Sequence, residues 1–175
     1  MKKILVVVDM QKDFVDGSLG TKEAVAIVDN VVAKIEGFDG KIFATYDTHF
    51  ENYLETSEGK KLPVEHCIKG TPGWELNADV EAALQKKNDV TRIEKITFGS
   101  VDLPGEIEKF AAGDDFEVEL IGLCTDICVV SNALMVKANF PEKAISVDSA
   151  CCAGVTPETH EASLTTMKMC QINVY

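Results

Sequence analysis

Basic residues are scarce in this sequence and never run longer than a pair. It carries 17 Lys and Arg against 29 Asp and Glu, a formal net charge of −12. That balance excludes a broad phosphate-binding face, so no nucleic-acid partner is expected. Long apolar runs are missing too. The N-terminal one, residues 4–8 (ILVVV), stops at Asp9. It is too short for a signal core or a membrane span, so no membrane partner is expected. Repeats, low-complexity tracts and linkers are also lacking, and residues 1–175 read as one domain. Histidine is nearly absent, with three in the chain. Their placement therefore carries weight.

What is present is an ordinary globular composition, 46% hydrophobic and 26% charged. The acidity keeps such a chain soluble. Six cysteines stand at 67, 124, 128, 151, 152 and 170. With no secretory start, they read as reduced thiols of a cytoplasmic protein. Most are expected to be small buried residues.

Apolar, β-branched segments alternate with helical patterns. Residues 4–8, 41–46, 89–93, 117–121, 144–147 and 171–174 read as strands. The first has no polar alternation, as expected of a strand buried on both faces. Between them, 21–36, 77–86, 104–111, 126–138 and 157–169 read as helices. In 21–36 the apolar residues Ala24, Ile27, Val28, Val31 and Ile35 recur at the helical period, with Gly37 as terminator. Asn77 and Thr156 are N-cap residues, and Pro104 and Pro157 suit a first helical turn. The alternation predicts an α/β fold, a parallel sheet flanked by helices in a three-layer sandwich. Ligands in such folds bind beyond the carboxyl ends of the strands. Asp9, Asp47, Lys95 and the turn before Cys128 all fall there. The irregular stretch 48–77 is long for a loop and holds His49, His66 and Trp74, which points to function.

Residues 122–128 (GLCTDIC) follow a strand and open a buried helix. A thiol in a first helical turn is expected to lean toward thiolate, and the nearby N–H groups suit an oxyanion. The plainer reading is that Cys124 and Cys128 fill one helix face. A two-thiol metal site is disfavoured because no second pair or His follows nearby. Asp9 reads either as a cap or as a site residue. Asp13 reads equally well as a solvated loop charge, and Lys95 alone reads as a surface lysine. Asp47 and His49 project to one side of an extended segment. With His66 they read as a three-ligand metal site with open positions; the alternative reading is that both His are hydrogen-bonded loop residues. His160, on the last helix, reads as a surface or capping residue.

Three separated segments together resemble the isochorismatase-like cysteine hydrolases, and within them the nicotinamidases. They are VDMQKDF at 8–14, Lys95 before Phe98, and GLCTDICV at 122–129. The resemblance implies a six-stranded parallel sheet between helices. It implies Cys128 as nucleophile, Asp9 as proton carrier and Lys95 as the partner that holds Asp9. It also implies a cis peptide at Leu123–Cys124, with the N–H groups of Cys124 and Cys128 as an oxyanion hole. Asp47, His49 and His66 would hold a divalent metal, zinc first, with iron or manganese as alternatives. Glu58 or Glu65 would be a fourth ligand. Phe14 would wall the substrate ring. The aromatic residue expected shortly before the third metal ligand is missing from LPVE at 62–65, and Trp74 is a candidate replacement. The implied reaction is hydrolysis of a small-molecule amide, nicotinamide to nicotinate and ammonia, in pyridine nucleotide salvage. Assembly into a homo-oligomer is also implied. Other readings are a carbamoyl or ureido amidase, a silent metal-binding scaffold, and a Cys124–Cys128 redox pair. Isochorismatase activity itself is disfavoured, since vinyl-ether cleavage does without a nucleophilic cysteine.

Overall fold

A computed structural model describes residues 1–175. Six strands form one parallel sheet: β1 (Lys2–Val8), β2 (Lys41–Asp47), β3 (Val90–Lys95), β4 (Phe116–Leu123), β5 (Ala144–Ala153) and β6 (Asn173–Val174). Their order is β3-β2-β1-β4-β5-β6. The chain steps outward from β1 to β3, then returns to the other side of β1. Such a reversal opens a crevice at the carboxyl ends of the central strands.

β1 explains why both faces are covered. Leu5 and Val7 point into one apolar cluster, with Val31, Ile35, Val80 and Leu84. Ile4, Val6 and Val8 point into the other, with Ile107, Val136 and Leu164. The first face is covered by α1 (Lys12–Val15), α2 (Lys22–Ala26), α3 (Val28–Gly37) and α5 (Ala78–Gln85). A short α4 (Ser57–Lys61) lies in the long connection after β2. The second face is covered by α6 (Leu103–Ala111), α7 (Val130–Asn139) and α8 (Pro157–Met169). An uninterrupted apolar strand is what a two-faced burial demands. No helix is long and apolar enough to cross a membrane.

The caps act as their residue types suggest. The Asn77 side chain accepts from the N–H groups of Asp79 and Val80 at the start of α5. Thr156 and Thr159 form a reciprocal capping box at α8. Three expectations need correction. The helix expected over 21–36 is two helices that join at Ile27. The helix expected from Asp126 starts as a π-helical turn, Thr125–Val129, before α7 proper. β5 runs on to Ala153 because a bulge absorbs its polar centre. Leu120 pairs with Val147, but Gly122 pairs with Cys152. The extra residues, around Asp148 and Ser149, carry polar side chains that hide the strand's continuation from a pattern of apolar residues.

Leu5 is fully buried in the central strand. Leu5→Ala should therefore lower unfolding free energy by about 2–5 kcal/mol, measured by urea denaturation. A change below about 1 kcal/mol would mean this face repacks around the lost volume.

Candidate active site

The register of the sheet assembles the site. Val8 pairs with Gly122 across β1 and β4. Gly122 has φ +116, and a Cβ there would sit 2.1 Å from the Val8 carbonyl oxygen. Only glycine allows this approach, which draws the turn after β4 against the residue after β1. That residue, Asp9, has φ +46 and leaves the strand direction at once. The Leu123–Cys124 peptide is cis. Asp47 and Lys95 pair across β2 and β3. By the period of two, Lys95 shares the face of Ile93, and Thr45 and Asp47 that of Phe43. Both Ile93 and Phe43 lie in the cluster that holds Cys128.

Asp9, Lys95 and Cys128 are all buried and all together. Lys95 Nζ lies 2.7 Å from Asp9 Oδ2 and 3.6 Å from Cys128 Sγ. It also lies 3.6 Å from Asp47 Oδ1. Thr45 Oγ1 donates to Asp9 Oδ1 at 2.6 Å. Asp9 Oδ2 has no aligned hydrogen bond beyond its ion pair. Lys95 is thus no surface lysine. Burial opposes its charge, but Asp9, Cys128 and Asp47 together hold it firmly protonated. Burial raises the Asp9 pKa, against the lowering effect of Lys95.

The thiol departs from expectation. The turn position was expected to favour thiolate, yet burial first, and Asp9 second, push Cys128 well above the ordinary thiol value, with Lys95 opposing. A resting thiol that passes its proton to Asp9 on attack fits this environment better than a standing thiolate. Cys124, in the same turn, is pushed up to about 12 by burial and then by Asp126. All six cysteines are unpaired.

A second cluster adjoins the first. Single ligand atoms of Asp47, His49, Glu58 and His66 lie within 4.8 Å of one another. Glu58 joins the group, whereas Glu65 is exposed and outside it. His49 Nε2 is 3.0 Å from Asp47 Oδ2, and His66 Nε2 is 3.5 Å from the same oxygen. Glu58 Oε1 is 3.7 and 3.6 Å from the two imidazole nitrogens. A short parallel bridge, His49 to Ile68, brings His66 beside His49. His66 Nδ1 must donate to the Val64 carbonyl at 2.8 Å. In the neutral ring, its Nε2 lone pair then faces two carboxylates. That arrangement calls for a cation between them, and two imidazoles with two carboxylates suit a divalent metal. Asp47 is held below the usual carboxylate range: burial opposes this, while His49, His66 and Lys95 outweigh it.

Several contributors escaped the sequence. Gln11 is buried, and its amide bridges the Asp47 backbone. Its Nε2 donates to Asp47 O at 2.8 Å and to Trp74 O at 2.9 Å, and its Oε1 accepts from Asp47 N at 2.8 Å. Its place in the 8–14 motif was the available signal. Tyr53 packs its ring against both His49 and His66, at 4.7 and 5.0 Å. Asn132 ties the turn to the loop after β3, donating to Cys128 O at 2.8 Å and accepting from Ser100 N at 2.9 Å. Asp13 is no free loop charge. It accepts from Cys67 N at 2.8 Å, and a Cβ on Gly73 would strike its carboxylate. His160 caps no helix. Its Nδ1 meets Thr125 Oγ1 at 2.8 Å, beside the Cys128 turn.

Both clusters open into one cavity of about 680 Å³, lined among others by Phe14, Tyr53, Glu58, Cys124 and Cys128. Phe14 packs at 5.5 Å from His66. Trp74 is absent from this wall, contrary to expectation. It packs on Tyr46, on the opposite face of β2, and lines a separate cavity of about 630 Å³. Its indole N–H is spent on Thr48 Oγ1 at 2.9 Å.

Two predictions follow from these distances. With added zinc as the probe ion for the four-residue cluster, Gln11→Leu should weaken any binding seen in the unaltered protein about 10- to 100-fold, read by competition with a chromophoric chelator. Unchanged affinity would show that Asp47 is held without Gln11. Iodoacetamide labelling of Cys128, followed by peptide mass spectrometry, should climb steadily as pH rises into the alkaline range. A plateau reached near neutrality would indicate a resting thiolate.

Known proteins share this sequence pattern and fold. Residues 3–174 match the model of the isochorismatase domain. An uncharacterized isochorismatase family protein PncA of Bacillus subtilis (strain 168) is 31% identical over 147 residues, 77% of this chain and 78% of that protein. The crystal structure of a nicotinamidase/pyrazinamidase PncA from Bacillus subtilis superposes with a TM-score of 0.86 at 28% identity, over 99% of each chain. A Pyrococcus horikoshii pyrazinamidase in complex with zinc superposes at 0.82 and 28% identity, over 100% of this chain and 99% of that one. With a family match spanning nearly its whole length, this chain belongs to the isochorismatase domain family.

Proposed function

We propose that this chain is a metal-assisted cysteine amidohydrolase of the nicotinamidase type, a single hydrolase domain that converts nicotinamide to nicotinate and ammonia. The observation that carries the reading is Lys95. One buried ammonium touches the carboxylate, the thiol and the edge of the metal cluster at 2.7–3.6 Å. Perturbed, mutually facing titratable groups in a cavity mark functional sites. A silent scaffold would have no use for such a group, since a buried ion pair adds little net stability. The solved nicotinamidase and pyrazinamidase structures named above support the substrate type.

In the proposed reaction, Cys128 Sγ attacks the amide carbonyl carbon as Asp9 takes the thiol proton. A carboxylate with a raised pKa accepts a proton more readily, which suits a general base. The oxyanion that forms is held by the N–H groups of Cys124 and Cys128. Asp9 then passes its proton to the departing nitrogen, the C–N bond breaks, and ammonia leaves a thioester on Cys128. Asp9 next takes a proton from water, whose oxygen attacks the thioester carbon; the C–S bond breaks, the acid is released, and Asp9 returns its proton to the Cys128 sulfur. Lys95 holds the Asp9 carboxylate in place throughout. Asp47, His49 and His66, with Glu58, would hold zinc, which supplies an electrophilic contact for the pyridine nitrogen. Phe14 and Tyr53 bound the ring.

Cys128→Ala and Asp9→Asn should each lower kcat for ammonia release at least about 10³-fold with the fold intact by circular dichroism. A fully active Cys128→Ala protein would remove the mechanism. Chelator treatment should abolish activity and added zinc should restore it, while activity that survives complete metal removal would leave the cluster without its proposed role.

A further inference from the structure

The mouth of the active-site cavity is apolar in a way that hydrolysis of an unsubstituted ring amide does not use. Phe50, Leu62, Ile96 and Phe98 all line it and are between 38% and 69% exposed. They come from three separate segments: the stretch after β2, the residue after α4, and the loop after β3. Large apolar side chains left in water at one place mark a surface that something covers. This patch is continuous with the cavity that holds Cys128 and the metal cluster. The buried polar groups Asp47, His49 and His66 line the cavity with Cys128, while exposed Asn52, Ser57, Lys61 and Thr97 lie among the apolar four. An amide carbon at Cys128 and a ring nitrogen at the His49–His66 cluster then anchor only one edge of a ring. The cavity, about 680 Å³, falls within the roughly 300–1,000 Å³ range typical of drug-sized ligands. A single pyridine ring with one carboxamide is much smaller.

We propose that the preferred substrates are aromatic carboxamides whose ring carries an apolar substituent, seated along Phe50, Leu62, Ile96 and Phe98. This rests on the amidase reading of the site. The substituent replaces water against these side chains, and each added methylene then contributes about three- to fourfold in binding. Leu62 and Phe98 become the residues that set specificity, because they are the two least exposed of the four and come from separate segments. Chemistry at Cys128 is unchanged; the gain appears in KM.

The test uses the full-length, zinc-loaded protein with nicotinamide and its methyl, ethyl and propyl derivatives, substituted on the ring carbon meta to the carboxamide and away from the nitrogen. The expected result is a kcat/KM that rises about three- to fourfold per carbon, mainly through KM. In Phe98→Ser and, separately, Leu62→Ser, the slope against chain length should flatten. Hydrolysis of nicotinamide with progressively poorer hydrolysis of the derivatives would overturn this inference alone. So would an unchanged slope in both variants. Failure to hydrolyse any of the amides would overturn the amidase reading and this inference with it. Sedimentation of the same proteins checks the other occupant: a dimer that both serine variants dissociate would mean a second copy covers the mouth, and the inference would fall.

Discussion

An ammonium sealed from water must be surrounded by negative charge, and the Lys95 ammonium is sealed at the end of β3. Its partners are Asp9 at 2.7 Å, Asp47 at 3.6 Å and the Cys128 sulfur at 3.6 Å. Removing one partner of such a group costs several kcal/mol, because an unpaired buried charge remains. The three strand ends that carry Asp9, Asp47 and Lys95 are thereby locked into one constellation. The thiol is held where its proton has a nearby acceptor. Lys95 also joins two clusters that are separate in sequence, the Asp9–Cys128 pair and the Asp47–His49–Glu58–His66 group. Charge placed in one is felt in the other.

Much of this was legible because strand ends and apolar periods are local signals. The two-faced burial of residues 4–8 could be read from five consecutive apolar side chains, and it held residue by residue. Asp9, Asp47 and Lys95 were recognisable as strand-end residues, so a doubly covered parallel sheet was bound to gather them. Asn77 and Thr156 declared their caps. The choice between Glu58 and Glu65 was not legible, because it depends on how a short helix and a His49–Ile68 bridge fold the long connection back.

Other features lie beyond sequence for clear reasons. The Cys128 environment was expected to favour thiolate, since a helix start is electropositive; burial and the Asp9 carboxylate dominate instead. Trp74 lies near His66 in sequence but on the wrong face of β2, and its partner Tyr46 belongs to the other apolar cluster. Gln11 imitates a backbone peptide with its side-chain amide where β1 has already turned away. Nothing in its residue type announces that use. The β5 bulge hid the continuation of that strand to Ala153 behind polar residues that sit outside the regular ladder.

The central claim is that the Asp9–Lys95 pair makes Cys128 the residue that carries the acyl group. Mass spectrometry of peptides from protein quenched in acid during nicotinamide turnover addresses it directly. The account predicts a nicotinoyl group on the peptide containing Cys128 and on no other. An acyl group found on another residue during active turnover would contradict it.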